Sequence, residues 1–180
     1  MASTGNVFPT AGANVDRAAS NAWGTPGNVV SDNATDTSAT TPTDYLVCSA
    51  FGFTIPDTAQ IQGVTVRVEA GETGTGSSNY IPQLISDTTP TLIGAAKSAV
   101  TVTGATKVVS TNGGPTDLWS ASLTPAIVNA AGFGVAIWST DTTNVVLIDY
   151  VTINIEYLVM PTKDMKRHQS SPQMQALLAS

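Results

Sequence analysis

One stretch near the middle of the chain constrains the fold more than any other: residues 51–70, which read FGFTIPDTAQIQGVTVRVEA. From Phe51 to Ile55, large apolar residues alternate with Gly and Thr, which is the period of two of a half-buried β-strand. Pro56 cannot donate a backbone hydrogen bond and therefore ends that strand. From Val64 to Ala70, apolar residues alternate with Thr, Arg and Glu. The stretch therefore predicts an antiparallel sheet with one face toward a core and one face toward solvent.

Apolar and polar residues alternate in the same way over much of the remaining chain. A single short helix is predicted in the body of the chain, because Thr124 suits the N-cap, Pro125 suits the first helical position and Gly132 suits the end. The pattern as a whole predicts an all-β chain that forms an antiparallel β-sandwich. Further strands are predicted over residues 44–55, 80–86, 91–109 (two strands with a bend near Gly104), 132–138 and 145–159.

The length of 180 residues predicts one domain with an extension at each end. Residues 1–22 show no sustained hydrophobic period, and we expect an extended N-terminal arm there. Residues 23–160 are predicted to form the β-sandwich domain. Residues 161–180 are predicted to form a C-terminal tail that contains a short amphipathic helix.

The two extensions are the segments that we expect to contact partner proteins. Phe8 is an isolated apolar anchor in the arm. The tail helix is too short to be stable alone, so its apolar face needs a surface on which to dock, either the body of the same chain or another subunit, which we favour. The predicted partner-binding residues of the tail are Lys166, Arg167, Met174, Leu177 and Leu178.

Composition and charge exclude several classes of partner. Charged residues make up only 11% of the chain, and the net charge is -6. Sparse charge favours a protein that buries its surface against copies or partners, because neutral polar groups lose water more cheaply than charges do. Nucleic acid is not expected as a partner of the body, since binding phosphates requires a basic patch. No apolar run approaches the roughly 20 residues of a membrane span, so no membrane partner is expected.

Neither the sequence motifs nor their spacing predicts catalysis. Cys48 lies in an apolar strand and is predicted to be a small buried hydrophobe. The single histidine, His168, lies in the tail, so a triad of Ser, His and Asp would depend on the tail. Asp149 shares its parity with the apolar residues of the last strand, which predicts an inward carboxylate that accepts backbone N–H bonds from a neighbouring loop. We therefore expect no enzymatic activity, no catalytic residue and no cofactor.

A metal site is likewise not expected from the sequence. Asp32, Asn33 and Asp36 offer oxygen ligands within one polar loop. The loop lacks the glycine and the terminal glutamate of an EF-hand calcium loop.

The first ten residues, MASTGNVFPT, lack the charged-then-apolar order of a signal peptide, so we expect a protein made in a cytoplasm.

Aromatic side chains leave a second function open. Trp23, Trp119, Trp138, Tyr45 and Tyr80 offer faces on which sugars can stack. Most of them lie at apolar positions of predicted strands, so we expect at least two of the three tryptophans in the core. Two coplanar, exposed aromatic rings in one groove would identify a carbohydrate-binding module.

Several motifs of the body occur together in the order of a known pattern. The segments FGFTIP at 51–56 and IQGV at 61–64, with Ala59 and Val66, resemble the core pattern FgFsIP..A.I.GI.V. That pattern belongs to a recurrent domain of tailed-bacteriophage virion structural proteins. Other parts of the chain fit it in order: Trp23, residues 117–119, 124–129, 132–135 and 149–157, so that the resemblance spans roughly residues 20–158. It implies a jelly-roll-like β-sandwich used in head decoration, head-fibre or tail-associated proteins.

The resemblance and the composition together predict a non-enzymatic structural component of a tailed-phage virion. The expected type is a capsid decoration (cement) or head-fibre protein that binds the particle through its terminal extensions. Its expected partners are other phage structural proteins, either capsid or tail subunits, and copies of itself, with a trimer favoured. Its expected location is the virion, after assembly in the host cytoplasm. The alternative is a carbohydrate-binding β-sandwich module of a tail fibre or another host-attachment protein.

Overall fold

The computed structural model describes residues 1–159, which form two antiparallel five-stranded sheets. The first sheet has the order β1-β10-β5-β8, with β3 also paired to β10; the second has the order β2-β4-β9-β6-β7. The predicted all-β sandwich is therefore confirmed. The strands are β1 (Ala2–Ser3), β2 (Ala11–Val15), β3 (Thr37–Thr40), β4 (Tyr45–Ser49), β5 (Ala59–Glu72), β6 (Ser77–Ile85), β7 (Val100–Thr103), β8 (Val108–Gly113), β9 (Gly134–Trp138) and β10 (Val145–Val159).

Strands β3 to β10 pair as one long hairpin that is rolled up. The four pairs of this hairpin are β3 with β10, β4 with β9, β5 with β8, and β6 with β7. Rolling adds two more ladders, β10 with β5 and β9 with β6. Because the two sheets receive alternate strands along most of the chain, the connections cross from one sheet to the other. We call strands β3 to β10 in this arrangement the rolled hairpin.

The core lies between the two sheets and is built by the alternation that the sequence predicts. In β5, Val64, Val66 and Val68 are fully buried, and in β10 the buried residues Val151 and Ile153 lie opposite them in register. The second sheet contributes the side chains of Leu46, Cys48, Leu84, Val135 and Ile137 to the same cluster. Full burial of each branched side chain contributes about 1.5–3 kcal/mol, so this double layer is the main source of stability.

The segment after β4 differs from its prediction. A strand was expected over residues 44–55, but the ladder ends at Ser49. Ala50 and Gly52 have φ angles of 57° and 70°, in the left-handed region, and so take the backbone out of the sheet. The predicted alternation of burial still holds, because Phe51, Phe53 and Ile55 are buried. The alternation thus identified the side chains that face the core, but not a strand.

The first 22 residues contribute two strands, where the sequence suggested an extended arm. Ala2 and Ser3 pair with Tyr157 and Glu156 of β10, and residues 11–15 pair with β4. These strands consist largely of Ala, Gly, Ser and Asn, whose small side chains give no hydrophobic period. Their place is set by the free edges of β10 and β4 and not by local pattern.

The predicted helix is shorter than expected, and a second helical segment was not predicted. The helix α1 covers only Pro125–Val128, and Asn129 occupies its C-cap. Its predicted start is confirmed, since the hydroxyl of Thr124 accepts a hydrogen bond from the N–H of Ile127 at 3.3 Å. A 3₁₀ helix at Pro26–Val30 was not predicted.

Candidate functional site

The predicted anchor Phe8 lies on the outer face of the first sheet. Val7 is bonded to Ile153 of β10 through both backbone groups, each at 2.9 Å, and this pairing fixes the segment. The ring of Phe8 meets the ring of Tyr150 edge to face, with centroids 5.6 Å apart. Phe8 nevertheless stays 37% exposed. An apolar ring held in place but not covered is a suitable contact for a partner, and the contact itself stays a prediction.

The predicted contacts of the tail fall outside the described residues. They are Lys166, Arg167, Met174, Leu177 and Leu178. What the structure does give is the position from which the tail starts. β10 ends at Val159, and Tyr157, two residues earlier, pairs with Ala2 of β1. The described residues therefore end at the edge of the first sheet where β1 also lies.

Trp23 and Trp119 belong to the core cluster, so the prediction that at least two of the three tryptophans lie in the core is confirmed. Trp23, Trp119 and Trp138 are 3%, 0% and 9% exposed. The indole N–H of Trp23 donates to the carbonyl of Asp44, and that of Trp119 donates to the carbonyl of Val64, both at 2.8 Å. A buried indole whose donor is satisfied inside the fold has a structural role.

The remaining aromatic rings do not form a flat binding face within residues 1–159. Tyr45 meets Trp138 at an interplanar angle of 82°, and Phe8 meets Tyr150 at 62°. The stacked pair in this part of the chain, Phe51 with Phe53, is buried. Tyr80 is fully buried as well.

Cys48 is confirmed as a buried hydrophobe. It lies in the core cluster with no exposed surface, and burial raises the pKa of its thiol far above the ordinary value. A thiol that stays protonated and has no access to solvent does not act as a nucleophile. His168, which any triad would need, lies outside the described residues.

Asp149 occupies an irregularity in β10 that changes the direction of its side chain. The ladder between β10 and β5 shifts between Ile148 and Tyr150, so Asp149 is an extra residue in the strand. Its carboxylate lies beside Glu69, whose two neighbours in β5 both belong to the core cluster. The side chain therefore points to the outer side of the sheet, and the inward direction predicted from parity is wrong. Asp149 is still only 1% exposed, because the loop before β3 covers it.

The two carboxylate oxygens of Asp149 differ in their hydrogen bonding. Oδ2 accepts the backbone N–H of Ala34 at 3.1 Å, as predicted for a neighbouring loop. The same oxygen lies 3.3 Å from Nζ of Lys107, which also contacts Asp36 Oδ1 at 2.6 Å. Oδ1 of Asp149 is buried and has no hydrogen-bond partner among the described residues.

Two further carboxylates approach Asp149. One oxygen each of Asp32, Glu69 and Asp149 lies within 4.8 Å of the others. We call these three residues the acidic cluster. Burial raises the pKa of Glu69, the carboxylates of Asp149 and Asp32 raise it further, and the ammonium of Lys107 opposes them. Sequence reasoning singled out Asp32 and Asp149 separately but missed Glu69, because the bulge that brings the three together has no signal in the pattern.

No family model, curated protein or solved structure matches this chain. The resemblance to the phage domain therefore stays a prediction that rests on the motifs. Among the described residues, 1–159, no helix is both long enough and apolar enough to cross a membrane.

Proposed function

We propose that the protein is a non-enzymatic structural component of a tailed-phage virion, of the capsid decoration or head-fibre type. The observation that carries the proposal is the rolled hairpin. The orders β3-β10-β5-β8 and β4-β9-β6-β7 agree with those expected of an eight-stranded jelly roll, the architecture of many viral capsid domains, and so support the proposal. The motifs FGFTIP and IQGV fall on the corner and the strand that begin the central ladder of this roll.

The burial of reactive and aromatic side chains and the low content of charged residues support a structural function. Groups that would serve chemistry or sugar binding are placed in the core, namely the Cys48 thiol and the rings of Trp23, Trp119 and Tyr80. Charged residues make up 11% of the sequence, which favours contacts with protein surfaces. The partly exposed ring of Phe8 meets Tyr150 edge to face, and Trp138 is buried, so these rings form no flat exposed face and weigh against a glycan-binding module.

The termini provide the mode of attachment in this proposal. Phe8 is fixed on the outer face of the first sheet, and the tail starts from the end of the same sheet. Each copy would bridge neighbouring subunits of the particle and raise the barrier to rupture of the shell. A standard protein interface buries about 1,600 Å² in total. Repetition over a lattice multiplies modest contacts, because each attachment holds the next site at high effective concentration.

Analysis of purified particles tests this proposal directly. Phage particles from a host that carries the gene would be banded on a density gradient and analysed by quantitative mass spectrometry. The protein is expected in the particle band at a fixed ratio to a shell or tail protein. An antibody with gold label would then show whether it lies on the head or on the tail. Recovery only in the unbound fraction, with particles otherwise complete, would overturn the proposal.

A further inference from the structure

The acidic cluster has the donor set of a hard cation. Asp32, Glu69 and Asp149 offer only carboxylate oxygens, which Ca²⁺ and Mg²⁺ prefer. Oxygens on opposite sides of a Ca²⁺ ion are separated by about 4.6–5.2 Å, since each bond measures about 2.3–2.6 Å. The three oxygens lie within 4.8 Å of one another, which is close enough for one Ca²⁺ ion to contact all three. Ca²⁺ tolerates irregular coordination, whereas Mg²⁺ demands near-ideal octahedral geometry, so ligands from three separate parts of the chain suit Ca²⁺ better.

The burial and the hydrogen bonding of Asp149 provide an independent observation. This side chain is 1% exposed, yet its Oδ1 has no hydrogen-bond partner among the described residues. Oδ2 is already held by Ala34 and Lys107, so Oδ1 is the oxygen left for the acidic cluster. A buried carboxylate oxygen without a partner is strongly unfavourable, and binding a cation would relieve this cost.

The surrounding charges favour a cation as well. Four carboxylates, those of the acidic cluster and Asp36, face the single ammonium of Lys107. Lys107 contacts Asp36 and the far oxygen of Asp149, so it fixes the orientation of Asp149 without neutralising the cluster. The excess of negative charge is concentrated at one place on the outer side of the first sheet.

We propose that Asp32, Glu69 and Asp149 bind one Ca²⁺ ion. The ion would join three separate parts of the chain: the loop before β3, strand β5 and the bulge of β10. It would thereby pin the loop at residues 31–36 to the first sheet, next to the face that carries Phe8 and Tyr150. This site does not depend on the proposed function in a virion.

Calorimetric titration of the full chain tests the site. The protein would be stripped with EDTA and titrated with CaCl₂ in about 0.15 M NaCl, which screens loose binding to an acidic surface. One Ca²⁺ per chain and a rise in the melting temperature are expected, with weaker binding of Mg²⁺. Glu69→Gln and Asp32→Asn should each weaken Ca²⁺ binding by about tenfold or more, since each removes a charged ligand. Asp57→Asn is the matched control, because it removes a carboxylate at an exposed turn away from the cluster.

Glu69→Gln also gives a signature that a merely structural acid pair would not give. Without Ca²⁺ the variant should melt at a higher temperature than the wild type, because it relieves repulsion with Asp149 and Asp32. With saturating Ca²⁺ it should melt at a lower temperature, because it lacks a ligand. Absence of Ca²⁺ binding, binding unchanged in Glu69→Gln, or the same gain in melting temperature with and without Ca²⁺ would each overturn the proposal. The last result would mean that Glu69 and Asp149 merely share a proton.

Discussion

At the scale of single residues, polar side chains complete the hydrogen bonding where strands stop. The side chain of Asn129 accepts the N–H of Ile55 at 2.9 Å and donates to its carbonyl at 2.8 Å. An amide side chain thus takes the place of a neighbouring strand along the segment that leaves the sheet after β4. The indole N–H of Trp119 likewise donates a hydrogen bond to the carbonyl of Val64.

Asn129→Asp tests this role at Ile55. The variant keeps the shape of the side chain but replaces its donor with an oxygen that faces the carbonyl of Ile55. We expect the free energy of unfolding to fall by about 1–3 kcal/mol, measured by urea denaturation, because a partly buried acceptor loses its donor. Asn6→Asp makes the same chemical change at an exposed position and should have little effect. Equal losses in the two variants would contradict this account.

Asp44 predicts a pH dependence of stability. Burial raises the pKa of Asp44, but hydrogen bonds from Ser20 at 2.6 Å, Asn14 at 2.9 Å and the N–H of Arg17 at 3.1 Å outweigh it and lower the pKa. Because the pKa is lower in the folded than in the unfolded state, the stabilisation is present above the unfolded pKa of about 3.9. It is lost as the pH falls through the folded pKa.

Asp44→Asn should therefore destabilise the protein by about 1–3 kcal/mol at neutral pH. The difference between wild type and variant should shrink as the pH falls below about 4. Denaturation curves at pH 7, 4 and 3 would measure it. A difference that stays constant over this range would show that the charge of Asp44 contributes nothing.

At the scale of elements, close approach between strands fixes residue choice at the start of β9. Gly134 pairs with Ser49 of β4, and a Cβ atom at Gly134 would lie 1.9 Å from the carbonyl oxygen of Cys48. No side chain fits at that distance unless β9 and its neighbour β4 separate.

Gly134→Ala should lower the free energy of unfolding by about 3 kcal/mol or more, since the clash is with backbone and cannot be relieved by a rotamer change. Gly27→Ala is the matched control, because a Cβ atom there meets nothing within 4 Å. Thermal unfolding of both variants followed by circular dichroism would compare them. Similar melting temperatures for the two would disprove the close approach.

The elements also show what sequence can predict and what it cannot. Strands β5 and β10 were predictable because branched apolar residues alternate along both, and β10 begins and ends where the pattern predicted. Strands β1 and β2 were not predictable, because they pair with the free edges of strands that lie far away in the sequence. The acidic cluster was not predicted, for a related reason. Residues 69 and 149 meet through a register shift between β5 and β10, and a sequence pattern with a strict period of two does not reveal such a shift.

At the scale of the whole molecule, the sandwich and the tail should be separable. The core cluster is built from residues between Trp23 and Ile155, so we expect deletion of residues 161–180 to leave the thermal unfolding of the body nearly unchanged. The same deletion should abolish binding to particles that lack the protein, measured by co-sedimentation. Loss of the fold in the truncated protein would refute this division.

Light scattering of the full-length and truncated proteins adds the state of assembly. A trimer that becomes a monomer on truncation would place self-association in the tail. A monomer in both forms would contradict the predicted homo-oligomer and would leave the tail to a different protein of the particle.

The rolled hairpin also has a consequence for how the protein is made. Residues Val145–Val159 form the middle of the first sheet, with β5 on one side and β1 and β3 on the other. A nascent chain therefore cannot complete that sheet on the ribosome until those residues have emerged. Until then the edges of β5 and β3 have no neighbour, and such edges promote aggregation. We therefore expect the rate at which β10 completes this sheet to influence how much of the chain folds before it aggregates.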